Sequence, residues 1–346
     1  MKTIKKLVVL TCICALMLSF AGCGLQISRE IATVNGRMVT KAEFLYYLEN
    51  VKSQMLNESG TMDSEGFWDA EIDGMKASDA AKNKALEDML RVEIACIKAE
   101  EKGLTVENNV VAGYRNMVNS TDAQQKAQFD AIRELTGLSE DGLVDVLVKT
   151  HLANTLAATI NEEDPTKLTP SDAEVKALYE QDYVHVKHVL IMSSDDSVDT
   201  SNMTPEEIEA QAALTKANKQ ELAKDVLAKA KAGANFDNLV KEYGEDPGME
   251  KSPEGYTFTR GYMVPEFESA SYALAVGEVS DLVESSYGWH IIKKYALPTS
   301  GEDYDNAINT IKANLSQDKY NALLDTYKSD VTIEIRQSVV DGVKVK

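Results

Sequence analysis

The 346-residue chain is short of several things at once, and each shortage removes a class of answer. It has four Cys, seven Pro and 7% aromatic residues, and its 36 Lys and Arg are outnumbered by 56 Asp and Glu, a formal net charge of −20. The basic footprint that nucleic-acid phosphates require is missing, so no nucleic-acid partner is expected. So few prolines, beside a 44% hydrophobic content, exclude a chain that is disordered throughout. Cys12 and Cys14 lie in the first 22 residues, Cys23 closes that stretch, and Cys96 stands alone. Neither a disulfide framework nor a Cys-based zinc site can be built from these. Cys96 falls in a helical pattern with Leu90, Ile94 and Ile97 and reads as a small buried hydrophobe. There is no phosphate-binding loop, nucleophile triad or internal repeat, and no cofactor or metal is expected. What is left is a folded, acidic body long enough for two or three domains.

The first residues have a different character. Lys2, Lys5 and Lys6 precede the uncharged run Leu7 to Ala21, which ends in Ala21-Gly22-Cys23. The run is short for spanning about 30 Å of hydrocarbon but suits an export signal. Its end resembles a bacterial lipobox, which implies that Cys23 is acylated and becomes the new N-terminus. Phe20 stands where that motif usually has Leu, and plain cleavage or an uncleaved anchor are the alternatives. Removal of residues 1–22 takes three Lys and no acid, moving the charge from −20 to −23.

Ile31 to Thr40 reads as two short strands about Asn35-Gly36, the strongest local hairpin signal. Thr40 then caps a helix with Phe44, Leu48, Val51 and Met55 on one face, and Glu43 is placed to complete a capping box. Helical periodicity dominates from Ser78 to Ile160, and stretches such as residues 57–66 before it break the pattern and look like loops. A polar connector over 161–170 marks a domain boundary, with Thr169 as N-cap and Pro170 as first residue of a short helix reaching Tyr179. Residues 183–297 read as strand, long helix from Thr204, helix from Phe236, loop over 245–255, strand near Tyr256, helix from Phe267 and strand from Trp289. That order suggests α+β, with helices flanking a small, mostly antiparallel sheet. After Pro298 an amphipathic helix returns, which must dock its stripe on something. Val331 to Ile335 is placed to add a strand to the first hairpin, which would make residues 183–297 an insertion in a body built from both chain ends.

Three blocks carry a resemblance: Val186-Lys187-His188-Val189-Leu190-Ile191, Gly277-Glu278-Val279-Ser280, and Tyr287-Gly288-Trp289-His290-Ile291-Ile292. With Phe236 to Tyr243 and Phe267 to Leu274 between them, residues 183–297 resemble the parvulin family of peptidyl-prolyl isomerases. The opening hairpin and capped helix resemble the SurA/PrsA class of chaperones, and the whole arrangement resembles the PrsA-type foldase lipoproteins. The implied fold is a mainly helical chaperone domain with an inserted parvulin domain. It divides as a signal over 1–22, a helical domain over 23–168, a parvulin domain over 169–298 and a returning helix and strand over 299–346.

The resemblance also assigns residues. Met263 and Phe267 would wall a proline ring, with Tyr256 beside them and Phe258 behind. His188 and His290 match two inward-facing histidines on the first and last strands, where an imidazole–imidazole hydrogen bond would fix tautomers. Asp246 would lie near the substrate carbonyl, with its pKa raised by desolvation. Ser285 and Tyr287 match the rim. Core packing is the competing reading for each apolar residue. His185 is three residues from His188 and so faces the other side of its strand, His151 reads as structural, and Arg260 is a loop charge or attracts an acid before the proline.

The chemistry this implies breaks no bond. Rotation about X-Pro is opposed by a barrier of about 18–20 kcal/mol from amide resonance. A dry pocket that grips the ring and fails to solvate the planar form favours the twisted one. The function expected is a foldase tethered on the outer face of the cell membrane that isomerises X-Pro bonds in unfolded secreted proteins and holds them; a homodimer stays open. The alternative is a non-catalytic holdase with a degenerate parvulin domain, because residues 250–255 lack the glycines usual there.

Overall fold

The computed structural model describes residues 30–345 except 60–62, 64, 73, 196–197 and 199. The expected signal over 1–22 and Cys23 lie outside the described residues. Strands β1 (Glu30–Val34) and β2 (Arg37–Thr40) pair antiparallel with Val34 opposite Arg37. Asn35 and Gly36 between them take φ of 48° and 76°, which these two residue types adopt at least cost. Helix α1 (Lys41–Ser59) follows directly, and the Glu43 N–H donates to Thr40 Oγ1 at 3.1 Å. The Glu43 carboxylate, which the capping-box reading turns back on the helix start, is held by Lys149 Nζ at 2.7 Å.

Then come α2 (Glu65–Asp69), the two-residue strands β3 (Glu71–Ile72) and β4 (Met75–Lys76), α3 (Ala77–Glu101), α4 (Asn108–Val118), α5 (Ala123–Thr136) and α6 (Glu140–Glu163). Phe44, Leu48 and Val51 of α1 bury against Met89 and Leu90 of α3, while Ile94 and Cys96 on the next turns of α3 meet Leu152 and Leu156 of α6. Burial pushes the Cys96 thiol up to about 12, as befits a residue that packs and does not react.

Helix α7 (Asp172–Asp182) starts two residues later than the Thr169-Pro170 pair suggests. Ser171 is the N-cap, sharing a full capping box with Glu174, and the Thr169 hydroxyl donates to Asn161 Oδ1 at 3.0 Å. A reciprocal box satisfies two orphan N–H groups where a lone Thr satisfies one. Strand β5 (Tyr183–Met192) then leads to α8 (Pro205–Lys231), α9 (Phe236–Tyr243), the short α10 (Pro247–Lys251), β6 (Tyr256–Thr259), α11 (Pro265–Ala273), β7 (Val283–Glu284) and β8 (Gly288–Tyr295). The four strands form one antiparallel sheet in the order β6-β5-β8-β7.

Alternation along the strands builds two layers on this sheet. Val189 and Ile191 of β5 with Trp289 and Ile291 of β8 pack on Ala223 and Val226 of α8 and Phe236 and Leu239 of α9. Val184, Val186 and Ile292 face the other way, onto Phe258, Phe267 and Leu274. Both faces are covered, which is why β5 reads as an almost unbroken apolar run.

Helix α12 (Glu302–Thr326) carries the chain back. Ala307 and Ile311 pack on Val175 and Tyr179 of α7, and Tyr320 and Leu324 pack on the α3–α6 layer, where the Tyr320 hydroxyl donates to the Ala153 carbonyl at 2.7 Å. Strand β9 (Ile333–Ile335) pairs antiparallel with β1, giving a sheet of order β2-β1-β9, and α13 (Gln337–Asp341) closes against it through Val340. The two ends of the described chain thus meet in one sheet. No helix among the described residues is long and apolar enough to cross a membrane.

Candidate active site

On the α11 face of the sheet, two positions that the pattern would fill with aliphatics are histidines. His188 and His290 are 3% and 4% exposed. Leu190 lies opposite His290 and His188 opposite Ile292, so the two imidazoles are diagonal neighbours across β5 and β8. Their Nδ1 atoms are 3.2 Å apart and their rings stack with centroids at 5.3 Å.

A buried imidazole needs partners for both nitrogens, and each has them. His188 Nε2 donates to Asp246 Oδ2 at 2.8 Å. A carboxylate can only accept, so this bond fixes the Nε2–H of His188. With both rings neutral, His188 Nδ1 is then an acceptor, His290 Nδ1–H donates to it, and His290 Nε2 accepts from the Ser285 hydroxyl at 2.7 Å. The order Ser285, His290, His188, Asp246 has the connectivity of a nucleophile chain, but burial, followed by the proximity of His188, lowers His290 to about 4. Such a weakly basic ring is a poor general base, and the chain serves to hold orientation.

Asp246 departs from expectation. Desolvation does oppose its charge, but the hydrogen bond from His188 outweighs it, and the Tyr256 hydroxyl at 2.7 Å and the Gly248 N–H at 2.9 Å add to the effect. Its pKa is therefore held well below the usual carboxylate range and not raised. Asp246 is also the N-cap of α10, a helix inside a segment that the sequence presents as loop. Tyr256 is raised by burial and then by its bond to Asp246.

Above this polar floor is a cavity of about 520 Å³. Met263, Phe267, Tyr256, Tyr287, His188, His290 and Asp246 all line it. Phe267 stands edge-on to both imidazoles, at 4.9 Å from His188 and 5.2 Å from His290. Phe258 lies behind Phe267 with centroids 6.0 Å apart, as expected, and lines no part of the hollow. Ser285 does not line the hollow itself but is bonded to two residues that do, His290 and Tyr287. Tyr287 at 60% and Tyr262 at 77% exposure stand at the mouth. Of residues 250–255, whose lack of the usual glycines motivates the degenerate-domain alternative, Glu250, Pro253 and Glu254 line a neighbouring cavity with Lys187 and Asp237, and none of the six lines the hollow.

Sequence reading missed Leu190, Met192, Pro247, Tyr262 and Val264, which also line the hollow. Leu190 and Met192 follow His188 at the strand period, and that spacing was the signal available. His185 faces away and its Nδ1 lies 2.9 Å from Thr257 Oγ1, His151 Nδ1 lies 3.1 Å from the Tyr114 hydroxyl, and the Arg260 guanidinium sits 3.9 Å from the centroid of Tyr272. Among the described residues no group of three or more His, Cys, Asp or Glu is arranged to hold a metal ion.

A four-stranded antiparallel sheet with helices on both faces, and a buried histidine pair under an apolar hollow, define a parvulin-type domain, and residues 173–296 match the family described as the PPIC-type PPIASE domain. Residues 173–296 thus carry a parvulin-type peptidyl-prolyl isomerase domain, and the chain as a whole is similar to PrsA foldases. It is 25% identical over 323 residues to the foldase protein PrsA of Caldanaerobacter subterraneus subsp. tengcongensis, covering 91% of this chain and 89% of that protein. It is 41% identical over 103 residues to foldase protein PrsA 4 of Bacillus cereus, covering 29% of this chain and 37% of that protein. Among solved structures, the crystal structure of the peptidylprolyl isomerase PrsA from Bacillus anthracis is similar, with a TM-score of 0.28 and 23% identity, covering 72% of this chain and 99% of that one.

Proposed function

We propose that this protein is an extracytoplasmic foldase, anchored through a lipid on Cys23, that catalyses cis–trans isomerisation of X-Pro bonds in unfolded secreted proteins and holds those clients on its helical body. The reading divides the mature chain into a helical domain over 23–168, a parvulin domain over 169–298 and a returning segment over 299–346.

The observation that carries the catalytic part is the apolar hollow lying on a polar floor whose hydrogen bonds are already spent. Met263 and Phe267 grip the proline ring, with Tyr256 alongside and Phe258 stiffening Phe267 from behind. The imidazoles of His188 and His290, bonded to each other, to Asp246 and to Ser285, have no free donor to offer the planar amide oxygen. The Asp246 carboxylate discourages negative charge on that oxygen. Resonance places such charge there only in the planar form, so the twisted imide is favoured relative to its ground state. Tyr287 flanks the entering peptide.

A protease-coupled assay on an X-Pro tetrapeptide tests this. Turnover by the wild type, lost in Met263→Ala with Phe267→Ala, is the expected result. Equal exchange by both, or none by either beside suppressed aggregation of an unfolded client, would leave the holdase. For the anchor, Cys23→Ala should release the protein into the medium, and continued tethering would overturn it.

A further inference from the structure

Tyr256 does more than stand beside the ring site. Its hydroxyl donates to Asp246 Oδ2, the same oxygen that accepts from His188 Nε2, while Oδ1 caps α10 by accepting from the Gly248 N–H. Tyr256 belongs to β6 and Asp246 caps the start of α10, so this one bond ties the strand to the helix cap ten positions before it. The hydroxyl also fills space beside Gly248. A Cβ built there would lie 2.0 Å from the Tyr256 oxygen and 3.2 Å from its ring carbon Cζ. Gly248 does not have a positive φ, so glycine is needed at 248 for the room it leaves and not for backbone freedom.

We infer that Tyr256 is a positioning residue for the isomerase site, acting through Asp246: its O–H and the bare Cα of Gly248 together set the carboxylate that fixes His188. The inference rests on the proposed isomerase reading and adds that the aromatic wall and the polar floor are one device. Because Asp246 has three donors on its two oxygens, it is an acceptor that orients its neighbours and not a proton-transfer group.

Two substitutions reach the same lesion by different routes. Tyr256→Phe keeps the ring, and hence the wall of the hollow, while deleting the donor. Gly248→Ala leaves the tyrosine intact but displaces its hydroxyl. Each should lower kcat about tenfold with KM nearly unchanged, the size expected for a hydrogen bond to a charged group. In an Asp246→Asn background, Tyr256→Phe should cost little further, and Gly248→Ala should cost little further once Tyr256 is Phe. A rise in KM alone, an unchanged kcat, or fully additive losses would each overturn the inference. A readout independent of turnover separates this from failure of the isomerase reading: the His188 Nε2–H proton resonance should be displaced in the same direction in both variants. If the wild type proves inactive, an unmoved resonance still refutes the coupling and a moved one still supports it.

Discussion

His290 shows how a single buried ring writes its environment into stability. Unfolded, an imidazole takes up its proton near pH 6.5; folded, His290 resists until about 4, because burial and then His188 disfavour the cation. Between those values the unfolded chain binds more protons, so acidification draws the population toward it. The contribution is fully favourable above pH 6.5, shrinks as pH falls toward 4 and is constant below that. The window is worth roughly 3 kcal/mol. Asp246, with its pKa depressed, acts in a different window, losing its stabilising effect only below the ordinary carboxylate range. We expect the thermal midpoints of wild type and His290→Asn to converge as pH falls from 6.5 to 4, because the variant has no imidazole to charge. A midpoint difference independent of pH would contradict this. His188 and His290 stand in the blocks that carry the resemblance and Asp246 is placed only by what the resemblance implies; that the three meet at one hollow agrees with that placing, but the sign of the Asp246 shift was not legible. Desolvation can be guessed from a sequence, whereas three donors converging from β5, β6 and α10 are a property of the fold.

Among the elements, β5 and β8 were legible because β-branched runs buried on two faces leave no other reading, and both run nearly where the pattern puts them. Helix α10 was not. It has five residues, too few for a period, and a Pro-Gly pair in its first turn that usually marks a loop. Its cap is Asp246, whose carboxylate is shared with the site. The start of β8 adds a second case, since the sequence places that strand from Trp289 and gives Gly288 no role of its own. Its φ is +142°, and a Cβ there would come within 2.2 Å of the Ile191 carbonyl oxygen and 2.8 Å of Met192 Cα, backbone atoms that cannot move aside without parting β5 from β8. Gly288→Ala should therefore destabilise the protein by on the order of 3 kcal/mol, read as a lower denaturant midpoint. Turnover of the folded fraction should also fall, because Gly288 is hydrogen-bonded to the backbone of Ser285, which holds the hydroxyl against His290. A variant of wild-type midpoint would show that the strands can shift to accept a methyl group.

At the scale of the molecule, the sheet core around β5 and β8 and the helical core of α1, α3 and α6 are built from different residues, joined where α7 packs on α12. The helical core contains a charge cluster that no periodicity reveals. Lys149 of α6 reaches Glu43 of α1 at 2.7 Å and also Glu93 of α3, and both carboxylates are nearly buried, at 6% and 2% exposure. Burial raises Glu43 despite the ammonium; burial opposes the charge of Lys149 as well, but its two acidic partners outweigh that and leave it raised. Removing the cation strands two acids in a low-dielectric layer, which typically costs about 3–5 kcal/mol. Lys149→Met should thus lower the denaturation midpoint of the helical body strongly at pH 7 and less at pH 5, where Glu43, already raised by burial, can take up a proton in place of the lost ammonium. Tetrapeptide turnover by the native variant should match wild type, since Lys149 contributes nothing to the hollow. Turnover that fell in step with stability, or a loss equal at both pH values, would mean instead that the cluster is coupled to the isomerase site or that Lys149 acts there by packing and not by charge.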